Sequence, residues 1–267
     1  MKKNTLPWDF LDEFRGKKFD GEWPTLPEML SISATRYPNR NCLTVFEPNR
    51  ITLTYSQALE KIKTLSYWMI ENGVKKDDHV AVTGKNSPEW AIVYFATLFA
   101  GAVIIPIDAG LRVEETETLL KTARPVLLFC DEEKYSHFAE MKNADFGKVF
   151  ALHPQESKRY VYNLKNILEH TLPKVSETEV AAILFTSGTM GNPKGVMLTH
   201  KNLVADCYIA QTHLTIYSTD VFYALLPLHH SYTMLAVFIE ALSCGAEVVF
   251  GKTLAVSKMM YELKEGK

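Results

Sequence analysis

"VAAILFTSGTMGNPKGVMLTH", residues 180–200, opens with an apolar run suited to a buried strand. It then breaks into ten residues holding three glycines, three hydroxyls, one proline and one lysine, and turns apolar again at "VMLT". A glycine-rich loop leaving a buried strand has backbone N–H groups free to converge on an anion, and glycine permits both the unusual dihedrals and the close approach. Several such N–H groups, together with Thr186, Ser187 and Thr189, could grip a phosphate chain at roughly 1.5 to 3 kcal/mol per charged hydrogen bond. Lys194 would add a cation. The same composition also suits a loop that merely turns the chain. The stretch is not the common nucleoside triphosphatase loop, which needs a Gly-Lys-Ser/Thr ending and a helix starting there. Here the lysine precedes Gly195, no hydroxyl follows it, and the loop joins strand to strand before Thr199 caps a helix.

Working outward, short apolar β-runs alternate with helical segments along most of the chain. "TLPEMLSISATRY" reads as a helix. "CLTVFE" and "ITLTY" flank a turn at "PNR" as a hairpin. "SQALEKIKTLSYWMIENG" sets Leu59, Ile62, Leu65 and Met69 on one helical face and stops at Gly73. The strand "HVAVT", the helical "RVEETETLLKTA" and the strands "PVLLFC", "VFYALL" and "AEVVF" continue the series, and "HPQESKRY", residues 153–160, reads as a loop. The rhythm predicts an α/β fold of layered, largely parallel sheets flanked by helices.

"WAIVYFATLFAGAVIIPI", Trp90 to Ile107, carries no charge and is long enough to suggest a membrane span. Ser87 and Pro88 read instead as an N-cap and first helical residue, and Gly101 as a stop. A buried helix followed by a buried parallel strand therefore ranks first, and a membrane-anchored protein last.

The chain has 267 residues, 47% of them apolar, and 29 Lys and Arg against 31 Asp and Glu, a formal net charge of −2. That balance argues against nucleic acid as a partner. The four cysteines, Cys42, Cys130, Cys207 and Cys244, are far apart, form no metal-spaced cluster and read as buried reduced thiols of a cytoplasmic protein. "MKKNTLPWDF" has no apolar run behind its lysines, which argues against a secretory signal. Peripheral membrane contact and oligomeric state stay open.

"TSGTMGNPKGVMLTH" resembles the phosphate-loop motif of the AMP-forming adenylating enzymes, the superfamily of acyl-CoA synthetases, luciferases and peptide-synthetase adenylation domains. "LTYSQ" at 53–57, "GVKKDDHVAVTGKNSPEWAIVYFATLFAGAVIIPID" and "LLPLHHSY" at 225–232 resemble further blocks of that family in the expected order. The resemblance covers essentially the whole chain. It implies a carboxylate attacking the α-phosphate of MgATP to give acyl-AMP and pyrophosphate, followed by transfer of the acyl group to coenzyme A. It also implies that Thr186, Ser187, Gly188, Thr189, Gly191 and Lys194 bind the nucleotide phosphates. By the same resemblance His230 stands beside the reacting carboxylate as the candidate catalytic residue, and His229 joins it in the substrate pocket. No metal ligand is assigned to the chain.

Peptide-synthetase domains place an aromatic–Asp pair where this sequence has "HHSY", which weakens an amino-acid substrate. The paired histidines and "PID" are most similar to long-chain fatty acyl-CoA synthetases. "TMLAVFIEAL" is apolar enough to wall an acyl tunnel, and reads equally well as an amphipathic core helix with Glu240 exposed. The remaining histidines, among them His153, His170 and His200, have no partner in the pattern and read as structural or surface residues. Members of the family are considerably longer and place a magnesium carboxylate, a hinge and a catalytic lysine in blocks such as "YGxTE" that this sequence lacks. The expectation is a partial N-terminal large domain over residues 1–267, with a subdomain boundary near 170–180, no C-terminal lid domain and little activity alone. A non-catalytic nucleotide- or acyl-binding module and adenylation of a different acid are the alternatives.

Overall fold

The computed structural model describes residues 22–141, 145–155, 158–165, 170–186, 193–251 and 255–265. Helix α1 (Leu26–Arg36) starts at Thr25, whose hydroxyl and the Glu28 carboxylate close a capping box. Strands β1 (Asn41–Val45) and β2 (Ile51–Thr54) form the expected antiparallel hairpin. Helix α2 (Tyr55–Glu71) follows with a second capping box between Thr54 and Gln57. Ile62, Leu65 and Met69 are buried along it and Leu59 is half-buried.

Strand β3 (His79–Thr83) leads to helix α3 (Pro88–Phe99) and strand β4 (Val103–Ile107). The apolar stretch from Trp90 is thus a helix and a strand. Ser87 accepts from the Trp90 N–H as the N-cap, and Gly101 takes φ +74° after the last turn. Every residue of α3 is buried except Glu89, which is half-buried and accepts from the Tyr160 hydroxyl at 2.8 Å. Among the described residues, no helix is long and apolar enough to cross a membrane.

Then come α4 (Val113–Ala123), β5 (Leu127–Cys130), α5 (Glu132–Glu140) and β6 (Lys148–Ala151). The described residues of the 153–160 stretch are mostly turn, although Tyr160 bridges Ala151. Strands β7 (Val180–Thr186) and β8 (Lys194–Thr199) pair antiparallel, with Thr186 opposite Lys194, so the glycine-rich loop does join strand to strand. Gly195 faces Phe185 in this pairing, and a Cβ there would lie 2.8 Å from Ile183 Cγ2. Thr199 caps α6 (His200–His213), again with a capping box. The chain ends with β9 (Val221–Ala224), a composite helix α7, β10 (Glu247–Phe250) and α8 (Val256–Glu265). Helix α7 comprises α-helical Ser231–Thr233, π-helical Met234–Ile239 and α-helical Glu240–Cys244.

The strands form a four-stranded sheet, β2-β1-β10-β9, and a six-stranded sheet, β6-β5-β3-β4-β7-β8, parallel except at β1–β2 and β7–β8. The predicted layered, largely parallel α/β architecture is what forms. Helix α3 lies between the sheets, touching β1 of one and β3 and β4 of the other. Val80, Val82, Ile104 and Phe129 point into this shared core. Ala81, Ile105, Leu128 and Cys130 point the other way, under α4 and α5. That is the period-2 alternation of a sheet covered on both faces. Trp90, Tyr94 and Phe95 of α3 gather around Phe238 of α7 with ring centroids 5.5 to 5.9 Å apart. Such aromatic pairs add about 0.5 to 1.5 kcal/mol each beyond burial.

Three expectations need correction. Glu240 is 3% exposed rather than solvent-facing. The π-helical turns before it widen the helix and shift the phase that a regular helical pattern assumes. Cys244 is half-buried, whereas Cys42, Cys130 and Cys207 are buried free thiols. His200 has a partner after all. Its Nδ1 accepts from the Leu26 N–H at 3.2 Å, and burial pushes its imidazole down to about 4, which keeps that nitrogen a neutral acceptor.

Candidate functional site

Parallel sheets leave room for ligands beyond the carboxyl ends of their strands. A cleft of about 880 Å³ occupies that place here, off the ends of β4 and β7. Ile107, Asp108 and Leu111 line it from the β4 side, Leu184 to Thr186 from β7, and Val196 and Leu198 from β8. His229 and His230, between β9 and α7, line it with Ser231 at the start of α7, and Glu115, Thr118 and Leu119 of α4 add to the wall. Most of this lining is apolar, with a few converging polar groups, as in small-molecule sites generally.

The structure therefore brings Thr186, His229 and His230 to one cleft. Pro193 also lines it. Lys194 is exposed at the start of β8, its carbonyl 3.5 Å from the Thr186 hydroxyl. Ser187, Gly188, Thr189 and Gly191 lie outside the described residues.

His229 is half-buried and its Nε2 stands 3.6 Å from Asp108 Oδ1, a charge-pair distance too long for a hydrogen bond. Burial holds the imidazole below the ordinary histidine value. Asp108 opposes that shift, while His230 and Lys134 reinforce it. The shift favours the neutral ring, and an anion arriving beside it would favour the charged one. His230 is exposed to the cleft; its N–H donates to the Pro227 carbonyl and its carbonyl accepts from Met234, which seats it at the start of α7.

Sequence reasoning did not single out two residues at this site. Asp108 closes "PID", and its Oδ1 accepts from the Gly110 N–H at 2.7 Å, fixing the turn after β4. Lys134, 5% exposed in the first turn of α5, donates to the carbonyls of Ala109 at 2.8 Å and Asp108 at 3.3 Å. Burial lowers its pKa. A lone charge at the end of an apolar strand was the available signal for Asp108. Nothing local marks Lys134, whose partners lie 25 and 26 residues away.

For a nucleotide, the fit is of residue type and place. The described flanks of the glycine-rich loop, Thr186 and Pro193, open onto the same cleft as the two imidazoles. Among the described residues no three His, Cys, Asp or Glu side chains gather as metal ligands. A second cleft, of about 810 Å³, lies between α1, the end of α3 and residues 172–175, away from these groups.

Residues 30–265 match the family described as AMP-binding enzyme. The chain is 30% identical over 207 residues to a crotonobetaine/carnitine–CoA ligase of Escherichia coli, over 74% of this chain and 40% of the relative. It spans about 40% of the length of the curated relatives it matches. A crystal structure from Rhodopseudomonas palustris, provisionally assigned as a long-chain-fatty-acid CoA ligase, superposes with a TM-score of 0.81 at 18% identity, over 91% of this chain and 61% of that one. ATP-bound MatB from the same organism gives a TM-score of 0.77 at 20% identity, over 90% of this chain and 48% of that one. These two likenesses show a shared fold.

Proposed function

The chain belongs to the AMP-binding enzyme family, and on that premise we propose that it supplies the phosphate-loop and acid-binding side of an AMP-forming acyl-CoA ligase. The observation that carries this reading is the one cleft that Thr186, at the root of the glycine-rich loop, lines together with His229 and His230. MgATP would supply an electrophilic α-phosphorus with pyrophosphate as its leaving group, and coenzyme A the thiol that later takes the acyl group. The obstacle to the first step is repulsion between a carboxylate and a polyphosphate, so these residues work by positioning and charge neutralisation. In this reading Thr186, Ser187, Gly188, Thr189, Gly191 and Lys194 hold the phosphates, and His230, exposed in the cleft, donates to the carboxylate or α-phosphate oxygens. His229, deeper and close to Asp108, shapes the acid pocket. Magnesium would enter with the nucleotide.

We further propose a long-chain fatty acid as the substrate and the cytoplasm as the compartment. The apolar wall formed by Leu111, Leu184, Val196 and Leu198 suits an acyl chain, and the free thiols suit a reducing compartment. The likeness to a crotonobetaine/carnitine–CoA ligase makes a short polar acid the competing reading.

Calorimetric titration of the chain with acyl-sulfamoyl adenosines of increasing acyl length tests both parts. Affinity that rises toward long chains supports the proposal. Preference for a carnitine-like acyl group would replace the substrate, and no binding by the folded chain to any of them would overturn the function.

A further inference from the structure

The segment that carries both histidines has little of its own to hold it. It leaves β9, an edge strand paired with β10 alone among the described residues. Between Leu225 and His230 the main-chain bonds within the segment and to β9 are Leu225 N–H to Tyr223 O at 3.1 Å and His230 N–H to Pro227 O at 3.2 Å. The stronger anchor comes from the other sheet's side of the molecule. Asn86, between β3 and the cap of α3, is 6% exposed and makes three bonds to this segment. Its Nδ2 donates to Ala224 O and Leu226 O, and its Oδ1 accepts from the Leu228 N–H, each at 2.9 Å.

Asparagine offers two donors and an acceptor on one short, planar group, and all three are in use here. Aspartate would turn an oxygen toward two carbonyl oxygens, and alanine would leave the Leu228 N–H buried without that acceptor, since Leu228 is 1% exposed. The amide orientation is unambiguous, because a flip would set oxygen against two carbonyls.

We infer that Asn86 is the positioning residue of the cleft, fixing residues 224–228 so that His229 stands against Asp108 and His230 lines the cleft that Thr186 shares. Its consequence for ligand binding rests on the ligase reading; its hold on the loop does not.

Three measurements on the 267-residue chain test it. In the unaltered protein, amide exchange followed by NMR should show Leu228 protected on the scale of the α3 core amides; exchange as fast as an open loop amide would overturn the inference without any variant. In Asn86→Ala, the His229 imidazole, followed by NMR titration and assigned with His229→Gln, should move up toward the ordinary histidine value. Burial, the main cause of the lowering, would be relieved as the segment loosens, and Asp108, His230 and Lys134 would no longer be at fixed distances. Thr54→Ala, which removes the remote cap of α2, controls for general loosening and should leave that titration in place. Equal behaviour of the two variants would defeat the proposal. Affinity for the preferred acyl-sulfamoyl adenosine should fall about tenfold, a change of about 1.4 kcal/mol, in Asn86→Ala and stay put in Thr54→Ala. If the unaltered chain binds none of these adenosines, the ligase reading fails, and the Leu228 and His229 results alone decide whether Asn86 holds the loop.

Discussion

Glu240 places a carboxyl in the core of α7, and its ionisation should cost the fold measurable stability near neutral pH. Burial pushes it up from the ordinary 4.5 to about 7, with Asp206 adding to the shift and Cys207, Gln211 and Cys244 opposing it as donors. Below pH 4.5 the group is protonated whether the chain is folded or not, and it contributes no pH dependence. Between 4.5 and 7 the folded state keeps a proton that the unfolded state has released, so stability falls as pH rises. Above 7 both states are ionised and the loss is complete. At 1.36 kcal/mol per pKa unit the total is about 3 kcal/mol, a sizeable part of the roughly 5 to 15 kcal/mol that keeps a domain folded.

Glu240→Gln removes the ionisation while keeping the shape and a carbonyl acceptor for the Cys244 thiol 3.9 Å away. Whatever fixed offset the amide introduces, the difference in stability between the two proteins should climb by about 3 kcal/mol from pH 4.5 to pH 8. Urea unfolding at half-unit pH steps reads this directly. In thermal scans the same gap is roughly 6 °C or more for a chain of this size. Other groups titrate in this window, but they are common to both proteins and cancel in the difference. Parallel stability curves from pH 5 to pH 8 would refute the reasoning, because they would mean that the carboxyl is ionised in the fold at no cost.

Three more outcomes are expected. His230→Ala should slow adenylate formation in single-turnover assays more than His229→Ala, since His230 is the imidazole exposed in the cleft; equal rates would remove that ranking. Lys194→Ala should raise the MgATP concentration needed for half-maximal adenylation and leave the acid dependence in place, and the reverse pattern would contradict a phosphate role. Trp90→Ala, at a position 1% exposed and 5.5 Å from the Tyr94 ring, should cost about 3 to 5 kcal/mol in urea unfolding; a loss under about 1 kcal/mol would mean that the site collapses around the gap.

What could be read from the sequence was what local chemistry dictates. Ser87-Pro88 and Gly101 bracket α3 because caps and left-handed stops act within a few residues. The hairpin at "PNR" and the strand-to-strand loop after Phe185 were legible for the same reason. The cleft was legible only where motifs carried it, at Thr186, His229 and His230. Asn86 and Lys134 escaped because each acts through backbone partners that no spacing rule reaches, up to 142 residues away for Asn86, and Asp108 because its contact with His229 joins segments 121 residues apart. Helix α5 was missed because only Lys134, Tyr135 and Phe138 of its nine residues are buried, and one of those is a lysine. The burial of Glu240 was missed because periodicity presumes a regular helix, and π-helical turns precede it.

The cleft joins parts with separate origins, and that bears on how the site responds to change elsewhere. Asp108 and Thr186 come off strands of the six-stranded sheet, whereas His229 and His230 follow an edge strand of the four-stranded one. The distance between these groups is therefore set by the layer between the sheets, which is α3. That helix holds the histidine segment at both ends. Asn86, just before its cap, grips residues 224–228, and its aromatic residues pack on Phe238, two turns into the helix that starts after His230. A close-packed interior transmits changes of volume rather than absorbing them. Truncation of Trp90 should accordingly shift the His229 titration as well as lower stability, while truncation of Phe150 in β6, 5% exposed at the far edge of the six-stranded sheet, should lower stability alone.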